Sequence, residues 1–313
     1  MDAPPPDTAV TVLDGGLATE LERRGHDLSD DLWSARLLLE APEEVVAAHL
    51  AFFAAGAQVA TTATYQASFE GLARRGLDGD EAAAVMRRGV ALAVAARERH
   101  AAETGRADPL LVAASVGPYG AVLADGSEYS GDYGLTDRAL RDFHRRRMGV
   151  LATAGADLLA IETVPSLQEG QALVSVLDDL PDGTTAWLSF TCADERRTRR
   201  GDPVEQAFAL ARESSRVVAV GVNCTAPQHA AALVAAAAEA GGKPVVVYPN
   251  SGETWDGRTR SWRGSAAEGL DAAAVARWVE AGARWVGGCC RVGPAQIAAI
   301  AAAASGLRPG RLS

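Results

Sequence analysis

VVAVGVNC (217–224) and ARWVGGCC (283–290) decide how this chain reads. Each is a short, apolar, β-branched run that closes on cysteine. Runs of that length with helical patterning on either side read as strands buried on both faces, the mark of a parallel sheet. The C-terminal tips of parallel strands face the end of the sheet where α/β proteins carry out chemistry. Cys224, Cys289 and Cys290 therefore reach one end of the sheet from two strands.

Further runs of the same kind surround them: TVLDGG (11–16), AQVATTATY (57–65), LLVAASVGP (110–118), ADLLAIET (156–163), TAWLSFTC (185–192) and KPVVVYPN (243–250). Alanine-rich stretches with helical spacing lie between them, at roughly 43–55, 81–103, 136–154, 166–179, 203–214, 226–240, 271–281 and 294–304. Several begin on start signals, such as Pro42 before Glu43-Glu44 and Ser166 with Glu169 three residues on. Ala-Gly-Ala recurs at 55–57, 154–156 and 281–283, where glycine would end a helix and a strand would begin at once. Eight strands alternating with eight helices predict a closed (β/α)8 TIM barrel in preference to a doubly wound open sheet. No linker or composition break divides residues 1–313, so one domain is expected, with loose ends at 1–9 and 306–313. The longest irregular insertions, 119–135 and 251–270, have the length of functional loops.

At 313 residues and 48% hydrophobic, the chain can bury a sizeable core. A net charge of −10 argues against nucleic acid and anionic membranes as partners. No apolar run approaches the roughly 20 residues of a membrane span. The opening MDAPPPDTAV lacks the basic and apolar regions of a secretory signal, so a cytoplasmic location is expected. Four cysteines in that setting suggest a metal or catalytic role before a disulfide framework.

Three thiolates from two strand tips make a soft, three-coordinate site that suits Zn2+ with a fourth position open. Such a centre would bind and ionise an incoming thiol, which is otherwise mostly protonated at neutral pH. The alternatives are three buried apolar residues or a vicinal 289–290 disulfide. Cys192, at the end of its own run, reads as a bystander. Asp14-Gly15-Gly16 reads either as a tight turn whose aspartate caps the next helix or as a close backbone approach to a cationic ligand. Glu162, a carboxylate at a strand tip, reads either as an arginine partner or as a site for a substrate ammonium. Tyr65 and Asn250 are further candidate substrate contacts at the same end. Tyr119, Tyr133, Trp33, Trp255 and Trp262 fall in loops or strand ends, where aromatic faces could surround a cationic donor. None of the five histidines pairs with serine or cysteine as a triad would require.

The chain resembles the homocysteine S-methyltransferase family, most of all its bacterial branch that uses S-methylmethionine. DGGLATELERRG (14–25), LWSARLL (32–38), TTATYQAS (61–68) and AASVGPYGAVLADGSEYSGDYG (113–134) carry the resemblance, with GADLLAIETVPS (155–166), GVNCTAP (221–227), VVVYPNSGE (245–253) and GGCCRVGP (287–294). It implies a TIM barrel in which Cys224, Cys289 and Cys290 hold zinc and the sulfur of homocysteine takes the fourth position. It also implies that Glu162 and the Asp14–Gly16 turn hold the amino-acid end of homocysteine. The expected reaction moves a methyl group from a methylsulfonium, S-methylmethionine or S-adenosylmethionine, to the homocysteine thiolate, giving methionine. The competing readings are a non-catalytic zinc or redox-sensing barrel using the vicinal cysteines and a zinc-dependent hydrolase.

Overall fold

The computed structural model describes residues 9–28, 34–105, 109–123, 126–256, 261–263 and 270–307. The expected loose ends lie mostly outside the described residues, as does Trp33. The barrel strands are β1 (Thr11–Val12), β2 (Val59–Thr61), β3 (Leu111–Val116), β4 (Leu158–Val164), β5 (Ala186–Phe190), β6 (Val217–Asn223) and β7 (Val245–Tyr248). A small antiparallel hairpin, β8 (Thr254–Asp256) and β9 (Ser261–Arg263), precedes the last barrel strand, β10 (Ala283–Val286). The sheet runs β1-β10-β7-β6-β5-β4-β3-β2, with every pairing parallel. It closes where Leu13 bridges Val59, with Gln58 N donating to Val12 O at 2.7 Å and Asp14 N to Val59 O at 3.0 Å. This is the expected (β/α)8 barrel.

The helices, in chain order, are α1 (Leu17–Arg23), α2 (Ser34–Glu40), α3 (Pro42–Ala54), α4 (Phe69–Ala73), α5 (Gly79–Thr104) and α6 (Tyr119–Leu123). They continue with α7 (Asp137–Ala152), α8 (Leu167–Asp178), α9 (Val204–Ala209), α10 (Pro227–Gly241), α11 (Ala272–Glu280) and α12 (Pro294–Ala304). The eight longer stretches read from the sequence match α3, α5 and α7 to α12 to within a few residues, apart from the shorter α9. The short helices α1, α2, α4 and α6 were not expected, because five to seven residues hold too few apolar positions to show a period. Gly56, Gly155 and Gly282 of the Ala-Gly-Ala repeats take φ of 99°, 96° and 121°. A side chain is strained there, and this is how each helix ends in time for its strand to start.

Alternation along the strands separates two cores. Outward residues such as Val112, Leu188, Val220 and Val247 pack under the helices. Inward residues, among them Ala113, Ala160, Trp187, Ala219, Val246 and Trp285, fill the barrel. The indoles of Trp187 and Trp285 meet edge to face at 5.7 Å and plug its middle.

His49 of α3 is fully buried, and neither ring nitrogen has a hydrogen-bond partner among the described residues. Burial pushes its pKa down to about 4. The unfolded chain, with an ordinary histidine pKa of about 6.5, therefore takes up a proton first as the pH falls. This contribution to stability is complete above about pH 6.5 and is lost on approaching pH 4. Between about pH 7.5 and about pH 4.5 the wild type should lose on the order of 2–3 kcal/mol more stability than His49→Leu, measured by urea unfolding. Equal losses in the two proteins would contradict the burial argument.

Candidate active site

The C-terminal end of the barrel becomes polar in a single layer. Along β3, β4, β5 and β6 the inward positions run from Ala113 to Ser115, Ala160 to Glu162, Trp187 to Ser189 and Ala219 to Asn223. The polar layer is buried and bound to itself. Asn223 Oδ1 accepts from Thr163 N at 2.7 Å and from Ser189 Oγ at 2.8 Å, while its Nδ2 donates to Thr163 Oγ1 at 2.7 Å. Thr163 and Cys224 take positive φ of 59° and 46°, unusual for side-chain-bearing residues. Backbone of this kind persists only where its surroundings fix it, as this network does.

Just past β6 and β10 the three expected thiols come together. Cys224 Sγ and Cys290 Sγ are 3.5 Å apart, Cys289 Sγ and Cys290 Sγ 4.0 Å, and all three lie within 4.8 Å of one another. Sulfurs about 2.3 Å from a tetrahedral zinc stand roughly 3.8 Å apart. The triplet therefore has the spacing of a zinc face. Its donors are soft, and Asn223 Nδ2 approaches Cys289 Sγ at 3.9 Å, as an outer hydrogen bond to a ligand sulfur would. Hydrogen bonding from Cys224 and the crowding of neighbouring sulfurs hold the Cys289 and Cys290 thiols well above their ordinary range. A divalent cation among them reverses that preference.

Beside the sulfurs lies a cavity of about 110 Å³ lined by Asp14, Gly15, Gly16, Tyr65, Glu128 and Glu162, among others. A water needs roughly 10–15 Å³, so the cavity is far larger than a single-water site. Asp14 does not cap α1, whose N-cap is Gly16; its carboxylate accepts from Thr61 N at 2.7 Å and Thr61 Oγ1 at 3.0 Å. Glu162 accepts from Ser115 Oγ and Tyr248, and no arginine pairs with it among the described residues. Burial raises Asp14 to about 8 and Glu162 to about 7. Among the described residues, no lysine, arginine or histidine lines the cavity. Two buried carboxylates thus share the cavity, with no cationic side chain among its described lining residues.

Tyr65 is bound to the Thr163 side chain, and its backbone oxygen accepts from the buried Arg147 at 3.0 Å. Asn250 is not among the lining residues: its Nδ2 donates to Cys224 O at 3.3 Å and its Oδ1 accepts from Gly252 N, so it braces the cysteine turn. Cys192 is buried away from the sulfur triplet, with its thiol pushed up to about 12 by burial. Tyr119 and Tyr133 pack edge to face at 5.2 Å in the 119–135 loop, outside the cavity lining. Two features were not singled out as site residues from the sequence. Glu128 lines the cavity from that loop, and Glu169 accepts from Tyr119 N at 2.6 Å and Tyr133 OH at 3.2 Å while facing His144 Nε2 at 2.9 Å. Glu128 lies in the 113–134 stretch that carries the resemblance, and Glu169 read only as the helix-start partner of Ser166.

A family model described as Homocysteine S-methyltransferase matches residues 11–304. Homocysteine S-methyltransferase YbgG of Bacillus subtilis is 45% identical over 301 residues, covering 95% of both chains. Homocysteine S-methyltransferase 4 of Zea mays is 48% identical over 302 residues, covering 93% of this chain and 88% of that one. The crystal structure of the homocysteine methyltransferase MmuM from Escherichia coli in metallated form superposes with a TM-score of 0.85 at 45% identity, over 95% of this chain and 96% of that one.

The Asn223 network makes a direct prediction. Asn223→Ala strips the buried Thr163 N–H of its acceptor, at a cost of about 1–3 kcal/mol for that group alone. Denaturant unfolding should show a loss of at least about 2 kcal/mol once the Thr163 and Ser189 hydroxyl bonds are counted. An unchanged midpoint would show that the layer is not held by Asn223.

Proposed function

The chain belongs to the homocysteine S-methyltransferase family and is a methyltransferase acting on homocysteine; from that premise we propose that its donor is a methylsulfonium, S-methylmethionine, and its metal zinc. In this reading the whole chain serves as one catalytic barrel domain in the cytoplasm. No helix among the described residues is long and apolar enough to cross a membrane. Cys224, Cys289 and Cys290 would hold the metal, which supplies a Lewis-acidic position where an incoming thiol loses its proton near neutral pH. The observation that carries the proposal is the triplet of sulfurs at the edge of a cavity whose ionisable lining is acidic.

The residues then divide the work. Asp14 and Glu162 would receive the α-ammonium of homocysteine, whose charge draws both carboxylates back to the ionised form that burial opposes. Gly15, Gly16 and Tyr65 line the cavity beside them. Asn250 would act through the Cys224 carbonyl that it holds. The donor's carbon–sulfur bond breaks as the new one forms, so a thiolate and a sulfonium become two neutral thioethers. The leaving group needs no proton, which fits a cavity with no histidine among its described lining residues. Charge disappears in the transition state, so a water-poor pocket favours transfer over the solvated reactants. With S-methylmethionine, both products are methionine. No observation favours the redox-sensing or hydrolase alternatives.

Replacing any one of Cys224, Cys289 or Cys290 by alanine should reduce bound zinc to a trace and lower methionine formation by more than about 100-fold. Changes merely beyond the ligands already cost about 10–100-fold. Elemental analysis with a donor panel of S-methylmethionine, S-adenosylmethionine and betaine, each with homocysteine, tests both halves. Full activity in zinc-free protein would overturn the metal assignment, and a preference for betaine would overturn the donor.

A further inference from the structure

We propose that Glu253 and Arg291 are positioning residues for the metal: their ion pair closes a bracket that holds the three cysteine sulfurs at the spacing an ion requires. The inference rests on the zinc reading above and deepens it by naming what keeps the ligands in place.

The sulfurs come from two turns whose strands do not pair. Cys224 follows β6 and Cys289-Cys290 follow β10, with β7 between them in the sheet. The two turns are joined by the segment that leaves β7. Pro249 O accepts from Cys289 N at 2.8 Å, Asn250 Nδ2 donates to Cys224 O at 3.3 Å, and Ser251 N donates to Cys290 O at 3.1 Å. Each ligand cysteine therefore has its backbone tied to one of these consecutive residues.

Glu253 closes the bracket. Its Oε2 accepts from Ser251 Oγ at 2.8 Å and from Arg291 Nε at 3.1 Å. One carboxylate oxygen thus joins the residue that binds Cys290 O to the residue that follows Cys290 in the chain. A ring results: Cys290 to Arg291 by the peptide bond, Arg291 to Glu253, Glu253 to Ser251, and Ser251 back to Cys290.

Arg291 is also gripped from the β1 side. Its φ of 67° lies in the left-handed region, which is unfavourable for a residue with a side chain. Its N–H donates to Thr19 Oγ1 at 2.9 Å, and a Cβ on Gly16 would stand 2.8 Å from that same oxygen, so the hydroxyl has little room to move. Backbone of this kind persists only where its surroundings fix it.

Fold stability does not account for the pair. The Arg291 side chain is 42% exposed and that of Glu253 12%, and an ion pair so open to water adds little to folding. Its effect is on geometry. Thiolates repel one another until a cation joins them, so a scaffold that holds them together beforehand lowers the cost of binding the ion. Residues that orient metal ligands from outside change metal affinity by about 10–100-fold.

The test measures the zinc Kd by competition with a chromogenic chelator, alongside urea unfolding of each metal-free protein. Glu253→Ala should raise the zinc Kd by about 10-fold. Glu253→Gln should raise it less, because its amide oxygen still accepts from Ser251. Arg291→Ala keeps the same backbone demand and should match Glu253→Ala, and the double variant should be no worse than either alone, since the two side chains act as a unit. Thr19→Val should weaken zinc binding as well, and Thr19→Ser should restore it. The unfolding midpoints of metal-free Glu253→Ala and Arg291→Ala should equal that of the wild type. Equal zinc affinity in wild type and Glu253→Ala, additive losses in the double variant, or a fall in unfolding midpoint that parallels the loss of zinc would overturn the assignment while leaving the zinc reading intact. A wild type that binds no zinc would overturn both.

Discussion

The site rests on a contact between two glycine turns. Gly16 N donates to Val292 O at 2.8 Å and Gly288 N to Asp14 O at 3.1 Å, locking the turn after β1 to the turn after β10. A Cβ at Gly15 would stand 2.3 Å from Val292 O, one at Gly16 2.7 Å from Cys289 O, and one at Gly288 2.2 Å from the Val292 side chain. The two turns can meet only as bare backbone. The same seam closes the barrel, since β1 joins β10 on one side and reaches β2 through the Leu13–Val59 bridge on the other. Ring closure and the seating of Cys289 and Cys290 beside Asp14 are therefore one structural event. Cys289 N donating to Pro249 O and Cys224 N to Tyr248 O extend the arrangement to β7 and β6, bringing the third sulfur to the same depth.

That assembly gathers like charge. Three thiols and three carboxylates border one small cavity, and burial or mutual crowding opposes ionisation of Cys289, Cys290, Asp14 and Glu162. A core built for stability alone would place apolar residues at Ser115, Glu162, Ser189 and Asn223, as it does one layer below. The polar layer opposes folding and is offset by its own hydrogen bonds, above all those of Asn223. The proposed metal and ammonium ligands would relieve what remains, linking ligand binding to the stability of this end of the barrel.

The barrel was legible in the sequence because parallel strands buried on both faces leave continuous apolar runs, and because Ala-Gly-Ala marks three helix-to-strand joints. The sulfur triplet was legible because GVNC and GGCC each end such a run. The role of Asn250 was not, because a residue at a strand tip can point into the cavity or, as here, into the adjoining turn, with the same local sequence. Asp14 was legible as a site residue, but its two bonds from Thr61 depend on the β1–β2 seam, a pairing of distant segments. Glu128 and Glu169 were hidden for the same reason. A loop has no periodicity to assign its inward face, and Glu169 resembles an ordinary first-turn helix acid until Tyr119, Tyr133 and His144 converge on it.

The plug of Trp187 and Trp285 beneath the polar layer connects this architecture to the chemistry. Trp187 Nε1 donates to Tyr248 OH at 2.9 Å, and Tyr248 in turn donates to Glu162, so the indoles both seal the barrel below the cavity and orient a carboxylate at its floor. Above the plug the cavity is lined by Glu128 of the 119–135 insertion and by the Asp14–Gly16 turn. A displacement that annihilates charge gains from exclusion of water, because the reactants lose hydration that the transition state no longer needs. A displacement that created charge would be slowed by the same walls. The apolar plug, the acidic rim and the soft sulfur donors thus favour one class of reaction, transfer of an alkyl group from a cation to an anion.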